Sequence, residues 1–325
     1  MLKTRFTELV GCSVPLQQAP MGGLATPELA GAVADAGGLG MVGATGWPAP
    51  DLKARLDKLR RPTPGAYGAN FIVDLVDRQT FRECLQIASE RVRVVDFFFG
   101  WPDASLVNAV HAGGALVSWQ IGTPEEALAA ADAGCDLIVA QGIEAGGHIR
   151  SRIGLLALLT QVLASIKVPV LAAGGIGSGR AMAAVLAAGA AGVRVGTRFI
   201  AASESEAHPA YVQALIAAGA NDTILTERFA GGWPVPHRVL RSCLEAAEAF
   251  DGDVVGERVH PLHGTKIKIA RFQGDLTVTK RFTGAIEAMP LWAGESVGGI
   301  KRVQPAGEIV HELADEAEHL LRHWA

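Results

Sequence analysis

The stretch QGIEAGGHIR, residues 141–150, follows the apolar run CDLIVA and places an amide, a carboxylate, two glycines and His148 where a buried strand ends. An imidazole titrates near neutrality, so at the rim of a pocket it suits proton transfer, and Gly146 and Gly147 allow backbone to pass close to a flat ligand beneath it. Two other stretches suit an anion. AAGGIGSGRAM (172–182) leaves a strand through glycines and enters a helix, and VGTRF (195–199) follows one unit later. Glycines at such turns expose backbone N–H groups to a phosphate. Asn70, Gln120 and Gln141 are uncharged amides at strand ends; each both donates and accepts, as the alternating edge of a planar heterocycle such as a flavin requires.

These residues need a scaffold that gathers many strand ends on one face. A short repeat supplies it: an alanine-rich helical pattern stops at glycine and an apolar run follows, as in DAGGLGMVGAT at Gly37, HAGGALVSWQIGT at Gly113, DAGCDLIVAQG at Gly134, AAGAAGVRVGT at Gly189 and AAGANDTIL at Gly219. Glycine takes the left-handed conformation that ends a helix. Eight apolar runs result: 14–21, 39–45, 67–73, 92–100, 115–121, 137–142, 169–175 and 192–199. Most are continuous rather than alternating, as parallel strands covered by helices are. Eight βα units in this length predict an α/β fold, a (β/α)8 TIM barrel, whose chemistry lies at the C-terminal ends of its strands. Thr26-Pro27-Glu28 and Thr123-Pro124-Glu125 read as two helix starts, with threonine as N-cap and proline at the first helical position.

The barrel is expected over 1–228, a smaller covering domain over 229–291, where the repeat breaks down, and a segment over 292–325 whose amphipathic helix packs back on the barrel. GLGMVG (38–43) has the form GxGxxG but lies after a helix and inside a strand, the reverse of a dinucleotide fingerprint.

Composition narrows the function. The chain is 49% hydrophobic and 19% charged, with a formal net charge of −4 and no broad basic field, which favours small-molecule partners over nucleic acid or a membrane surface. No apolar signal core follows Met1, so a cytoplasmic protein is expected. Cys12, Cys84, Cys135 and Cys243 are scattered without CxxC spacing, and the pairs His260/His263 and His319/His323 lack matching acidic or cysteine ligands, so no metal site is expected.

QAPMGG (18–23), GANF (68–71), QGIEAGGH, AAGGIGSG, GTRF and MPLWAGESVGG (289–299) together span most of the chain and resemble the nitronate monooxygenase family, formerly 2-nitropropane dioxygenases, which are barrel enzymes dependent on FMN. The resemblance implies that Met21 and Gly22 lie along the flavin and that Asn70, Gln120 and Gln141 meet its polar edge. It implies that Gly147, Gly174, Gly175, Gly196 and Thr197 hold the ring or phosphate, and that His148 is the catalytic base. The activity implied is oxidation of alkyl nitronates by O2 to a carbonyl compound and nitrite. The same scaffold resembles NAD(P)H-dependent reductases of enoyl thioesters or quinones, and a phosphate-ligand sensor is the non-enzymatic alternative. The chain departs from the family pattern at HIRSR, where Arg150 and Arg152 are candidates for binding an anionic substrate or a CoA phosphate, and at Glu295, which stands where glutamine is frequent.

Overall fold

All eight apolar runs contain parallel strands in the computed structural model, which describes residues 2–59, 66–75 and 78–323. They are β1 (Leu16–Gln18), β2 (Leu39–Gly43), β3 (Ala66–Ile72), β4 (Val94–Phe98), β5 (Leu116–Ile121), β6 (Leu137–Gln141), β8 (Val170–Ala173) and β9 (Gly192–Val195). Their order is sequential, and β9 closes on β1 with Gln17 opposite Arg194, so the sheet is a closed (β/α)8 barrel without edges. The two-residue β7 (Gly147–His148) lies outside it.

The helix-to-strand turn recurs as the repeat requires. Gly37, Gly134 and Gly189 are left-handed, with φ of +91°, +93° and +105°. Two copies differ from expectation. In HAGGAL the left-handed residue is Gly114 (φ +90°), while Gly113 is still helical at −84°. In AAGANDTIL, Gly219 is extended (φ −108°) and opens a single 3-10 turn before β10 (Thr223–Thr226), which is not a barrel strand. The barrel has already closed at β9, so a ninth run finds no edge to join in parallel.

Both Thr26 and Thr123 cap their helices, accepting from Leu29 N and Glu126 N, with proline in the first turn. Gly40, within GLGMVG, has a packing role: a Cβ there would lie 2.0 Å from the Ala30 carbonyl oxygen, so its absence lets helix Pro27–Asp35 rest on β2. The N-terminal end of the barrel is filled by Phe6 and Val10 of helix Arg5–Val10, clustered with Leu39, Met41, Val94, Leu137 and Leu171.

Beyond the barrel, β10, β11 (His237–Leu240) and β7 form an antiparallel sheet, and β12 (Val254–Val259), β13 (Lys266–Ala270) and β14 (Phe282–Gly284) form a second one. A separate apolar cluster, including Tyr211, Phe229, Leu240, Met289 and Trp292, holds this covering layer together. Helix Ala306–Arg322 returns to the barrel, burying Ile309, Val310 and Leu313 in the main core and packing on helices Gly179–Ala187 and Pro27–Asp35. Among the described residues no helix is long and apolar enough to cross a membrane.

Candidate active site

A cavity opens at the C-terminal ends of the strands, as the barrel architecture requires. Its floor is polar because two strands carry charges inward. Alternation along β4 and β9 turns Asp96 and Arg194 into the barrel, where Arg194 Nη2 lies 2.5 Å from Asp96 Oδ1. Burial of this pair is tolerable only because each group has further partners. Arg194 Nε donates to Gln17 Oε1 at 2.8 Å and its Nη1 donates to Gln120 Oε1. Ser118 Oγ donates to Asp96 Oδ1, and Asn70 Nδ2 donates to Asp96 Oδ2, each at 2.7 Å.

One wall is made of glycine turns. Gly174 and Gly175 are left-handed, at φ +106° and +68°, which bends the chain sharply out of β8. Among the described residues the amides of Gly175 and Ile176 donate to no protein acceptor, so they are available to an anion. Gly196 and Thr197 continue this wall after β9, and the Thr197 hydroxyl accepts from Gly294 N at 3.0 Å. Gly146 and Gly294 pack backbone against backbone: a Cβ on Gly146 would come within 2.4 Å of Gly294 N. Gly146 therefore joins two loops at a point that also lines the cavity. Gly147, left-handed at φ +75°, does face open space.

His148 forms the mouth. Its Nε2 lies 3.0 Å from the Gly274 carbonyl, which can only accept, so Nε2 carries the proton and Nδ1 holds the free lone pair. The ring packs on Trp233 (4.4 Å between centroids) and Trp292 (5.0 Å), and stands 6.0 Å from His237, its cross-strand partner in the β7–β11 pair. Burial, with a smaller contribution from His237 and against the Gly274 hydrogen bond, pushes its pKa from 6.5 down to about 4. His148 is therefore a neutral proton acceptor at pH 7.

The cavity brings together Met21, Gly22, Asn70, Gln120, Gln141, Gly147, His148, Gly174, Gly175, Gly196 and Thr197. Gln141 differs from the other amides in how it is used: its Nε2 donates to His148 O and its Oε1 accepts from Arg150 N, both at 3.0 Å, so it holds the histidine loop in place. Arg150 and Arg152 do not line the cavity. Arg150 pairs with buried Glu126 at 2.6 Å, its guanidinium carbon 5.4 Å from the centre of the Phe99 ring, and Arg152 is exposed. Glu295 pairs with Arg238, whose guanidinium also donates to Ile143 O, tying the 289–299 segment to the histidine loop.

Sequence reasoning missed Arg194, Asp96 and the aromatic partners of His148. The two charges had a signal, since an arginine within GVRVG and an aspartate within VVDFF interrupt buried strands with opposite signs. Trp233, His237 and Gly274 had none, because the antiparallel sheet and a loop 126 residues from His148 bring them there.

The donor set fits a flat heterocycle bearing a phosphate. Polar amides lie on the floor, free loop amides on one wall and space without side chains at Gly22 and Gly147. Comparison with known proteins agrees. A family model described as nitronate monooxygenase matches residues 3–81 and 76–316. A relative from Rhodococcus jostii (strain RHA1), named (3aS,4S,5R,7aS)-5-hydroxy-7a-methyl-1-oxo-octahydro-1H-indene-4-carboxyl-CoA dehydrogenase, is 34% identical over 267 residues, covering 82% of this chain and 74% of the relative. The structure of FabK from Thermotoga maritima superposes with a TM-score of 0.82 at 29% identity, covering 100% and 99% of the two chains. The nitroalkane oxidase of Streptomyces ansochromogenes does so at 0.78 and 30%, covering 98% and 99%.

Proposed function

The chain belongs to the nitronate monooxygenase family and is an oxidoreductase, and from that premise we propose that it holds FMN in the barrel-top cavity and oxidises alkyl nitronates with O2 to a carbonyl compound and nitrite. The observation that carries this reading is the neutral imidazole of His148 over a cavity whose floor and wall suit a flavin and its phosphate. When bound, the flavin supplies redox chemistry between the nitronate and O2.

The remaining work falls to the protein. With the flavin bound, Asn70 and Gln120 would meet the polar edge of the ring, Met21 and Gly22 would lie along it, and the amides around Gly174, Gly175, Gly196 and Thr197 would receive the phosphate; all of these residues line the cavity. His148 accepts the α-proton of a neutral nitroalkane at Nδ1, while its Nε2–H stays on the Gly274 carbonyl, which steadies the imidazolium as it forms. A base of such low pKa is free of protons at pH 7 but weak. Preformed nitronate, which needs no deprotonation, is therefore expected to react faster than the neutral nitroalkane.

A second reading, redox chemistry on a CoA thioester, is favoured by the Rhodococcus relative, whose name is that of a carboxyl-CoA dehydrogenase. Arg150 and Arg152 give it no support inside the cavity. The test is to mix the flavin-loaded protein without oxygen with propyl nitronate, with NADH or NADPH, and with an alicyclic acyl-CoA, and to follow bleaching of the flavin. Bleaching by nitronate, with colour and nitrite appearing on admission of air, is expected. Bleaching only by a nicotinamide or an acyl-CoA would replace the nitronate reading with the corresponding alternative.

A further inference from the structure

Asp96 and Arg194 are buried charges that the proposed proton transfer does not use; Asp96 is fully buried and Arg194 is 4% exposed. Each spends one of its groups on an amide that lines the cavity. Asp96 Oδ2 accepts from Asn70 Nδ2, and Arg194 Nη1 donates to Gln120 Oε1. Among the described residues, the other polar atom of each amide, Asn70 Oδ1 and Gln120 Nε2, has no protein partner.

We infer that Asp96 and Arg194 are positioning residues that set the polarity of the cavity floor, so that Asn70 offers an acceptor and Gln120 a donor to the pyrimidine edge of a flavin. The inference rests on the flavin reading above. An amide can turn about its last bond and exchange its oxygen for its nitrogen, and on an uncharged floor the two settings differ little. Here the alternatives are opposed by charge. Turning Asn70 would set its carbonyl oxygen against the Asp96 carboxylate, and turning Gln120 would set its NH2 against the Arg194 guanidinium. Each would lose a charge-assisted hydrogen bond and gain a repulsion, in surroundings of low dielectric.

The barrel register makes this a single device. Asn70 stands opposite Asp96 on the neighbouring strand, and Asp96 stands opposite Ser118 on the next. The 2.5 Å bridge to Arg194 then links both amides, while Gln17 and Ser118 hold the two charges. The edge so formed matches a ring that presents N3–H beside a C2 carbonyl: Asn70 Oδ1 receives the former and Gln120 Nε2 donates to the latter.

The test compares the affinity of the ligand-free protein for FMN and for 3-methyl-FMN, which has no N3–H to donate, in the natural chain and in Asp96→Asn. The natural chain is expected to prefer FMN by about tenfold. Asp96→Asn should shrink that preference by about threefold or more, because the charged acceptor is gone and only the longer bond from Asn70 Nδ2 to the backbone carbonyl of residue 96, 3.3 Å, still favours the original setting. The bulk of the methyl group is common to both proteins, so the change in preference reports the acceptor alone. Thermal melting of the ligand-free proteins records any structural cost separately. If Asp96→Asn does not fold, Asp96→Asn/Arg194→Gln removes both buried charges together and is measured in its place. A natural chain that binds the analogue as tightly as FMN, or a variant with unchanged preference, overturns the inference. A natural chain that binds no FMN overturns the flavin reading on which it depends.

Discussion

The floor and the mouth of the cavity achieve order by opposite means. The floor is ionic: Asp96, Arg194, Asn70, Gln120, Gln17 and Ser118 lie on barrel strands, and the two charges take hydrogen bonds from or give them to the other four, Asp96 meeting Arg194 at 2.5 Å and Gln17, Asn70 and Ser118 standing at 2.7–2.8 Å from their charged partners. The mouth is neutral and aromatic. His148 leans on Trp233, Trp292 and His237, and one hydrogen bond to the Gly274 carbonyl chooses its tautomer. In the floor, charge decides which atom each amide shows; at the mouth, the removal of water decides that the histidine stays uncharged. A binding surface needs fixed polarity, whereas a proton acceptor needs an unprotonated lone pair at the working pH.

The sharpest way to break this contrast is to remove one floor charge. Asp96→Ala leaves Arg194 buried without its counter-ion, and stability to denaturant is expected to fall by about 3–5 kcal/mol. A loss under about 1 kcal/mol would show that water replaces the carboxylate and that the floor is not an ionic lattice.

At the mouth, truncation is expected to spare the fold and strike the chemistry. His148→Ala should keep its flavin, as read by the absorbance of the purified protein, yet lose about 10²-fold or more in turnover of a neutral nitroalkane. The loss with preformed nitronate should be smaller. Equal rates with and without the imidazole would return His148 to a packing role.

pH separates the two regions without mutation. Because the folded pKa of His148 is lowered to about 4, the native protein binds fewer protons there than the unfolded chain. Its contribution to stability is full above about pH 6.5 and is lost as pH falls from there toward 4. In kinetics, the acid limb of kcat/KM for a neutral nitroalkane should lie near pH 4; a limb at 6.5 would mean that the mouth is wet in the working enzyme.

The smallest effect is expected outside both regions. Arg152 is exposed, so Arg152→Ala should change stability and KM within about 0.5 kcal/mol. A rise in KM for a CoA thioester beyond about fivefold would instead show that this loop meets the substrate after all.

Much of the site could be read from chain order. The glycine-ended repeat and eight continuous apolar runs implied parallel βα units, and a barrel of such units puts every strand end on one face. That argument placed Asn70, Gln120, Gln141, His148 and the two glycine turns around one cavity. Chain order did not disclose the protein partners of nearby groups. Arg150 looked available to an anion, but Glu126, from the helix after β5, lies 2.6 Å away and occupies it. Gln141, expected at the cofactor's polar edge, lines the cavity and also holds the backbone of residues 148 and 150 through its amide.

Local sequence suffices for whatever depends on neighbours along the chain: the left-handed turns at Gly37, Gly134 and Gly189, the threonine caps and the alternation that turns Asp96 and Arg194 inward. Contacts between remote segments decide the rest. The tautomer of His148 is chosen by a carbonyl 126 residues away, its neutrality by indole rings from the covering layer, and the orientation of Gln120 by an arginine 74 residues on. Proton affinity and amide orientation are set by dielectric and by the charges within a few ångströms, and those are properties of the packed chain that no single segment possesses.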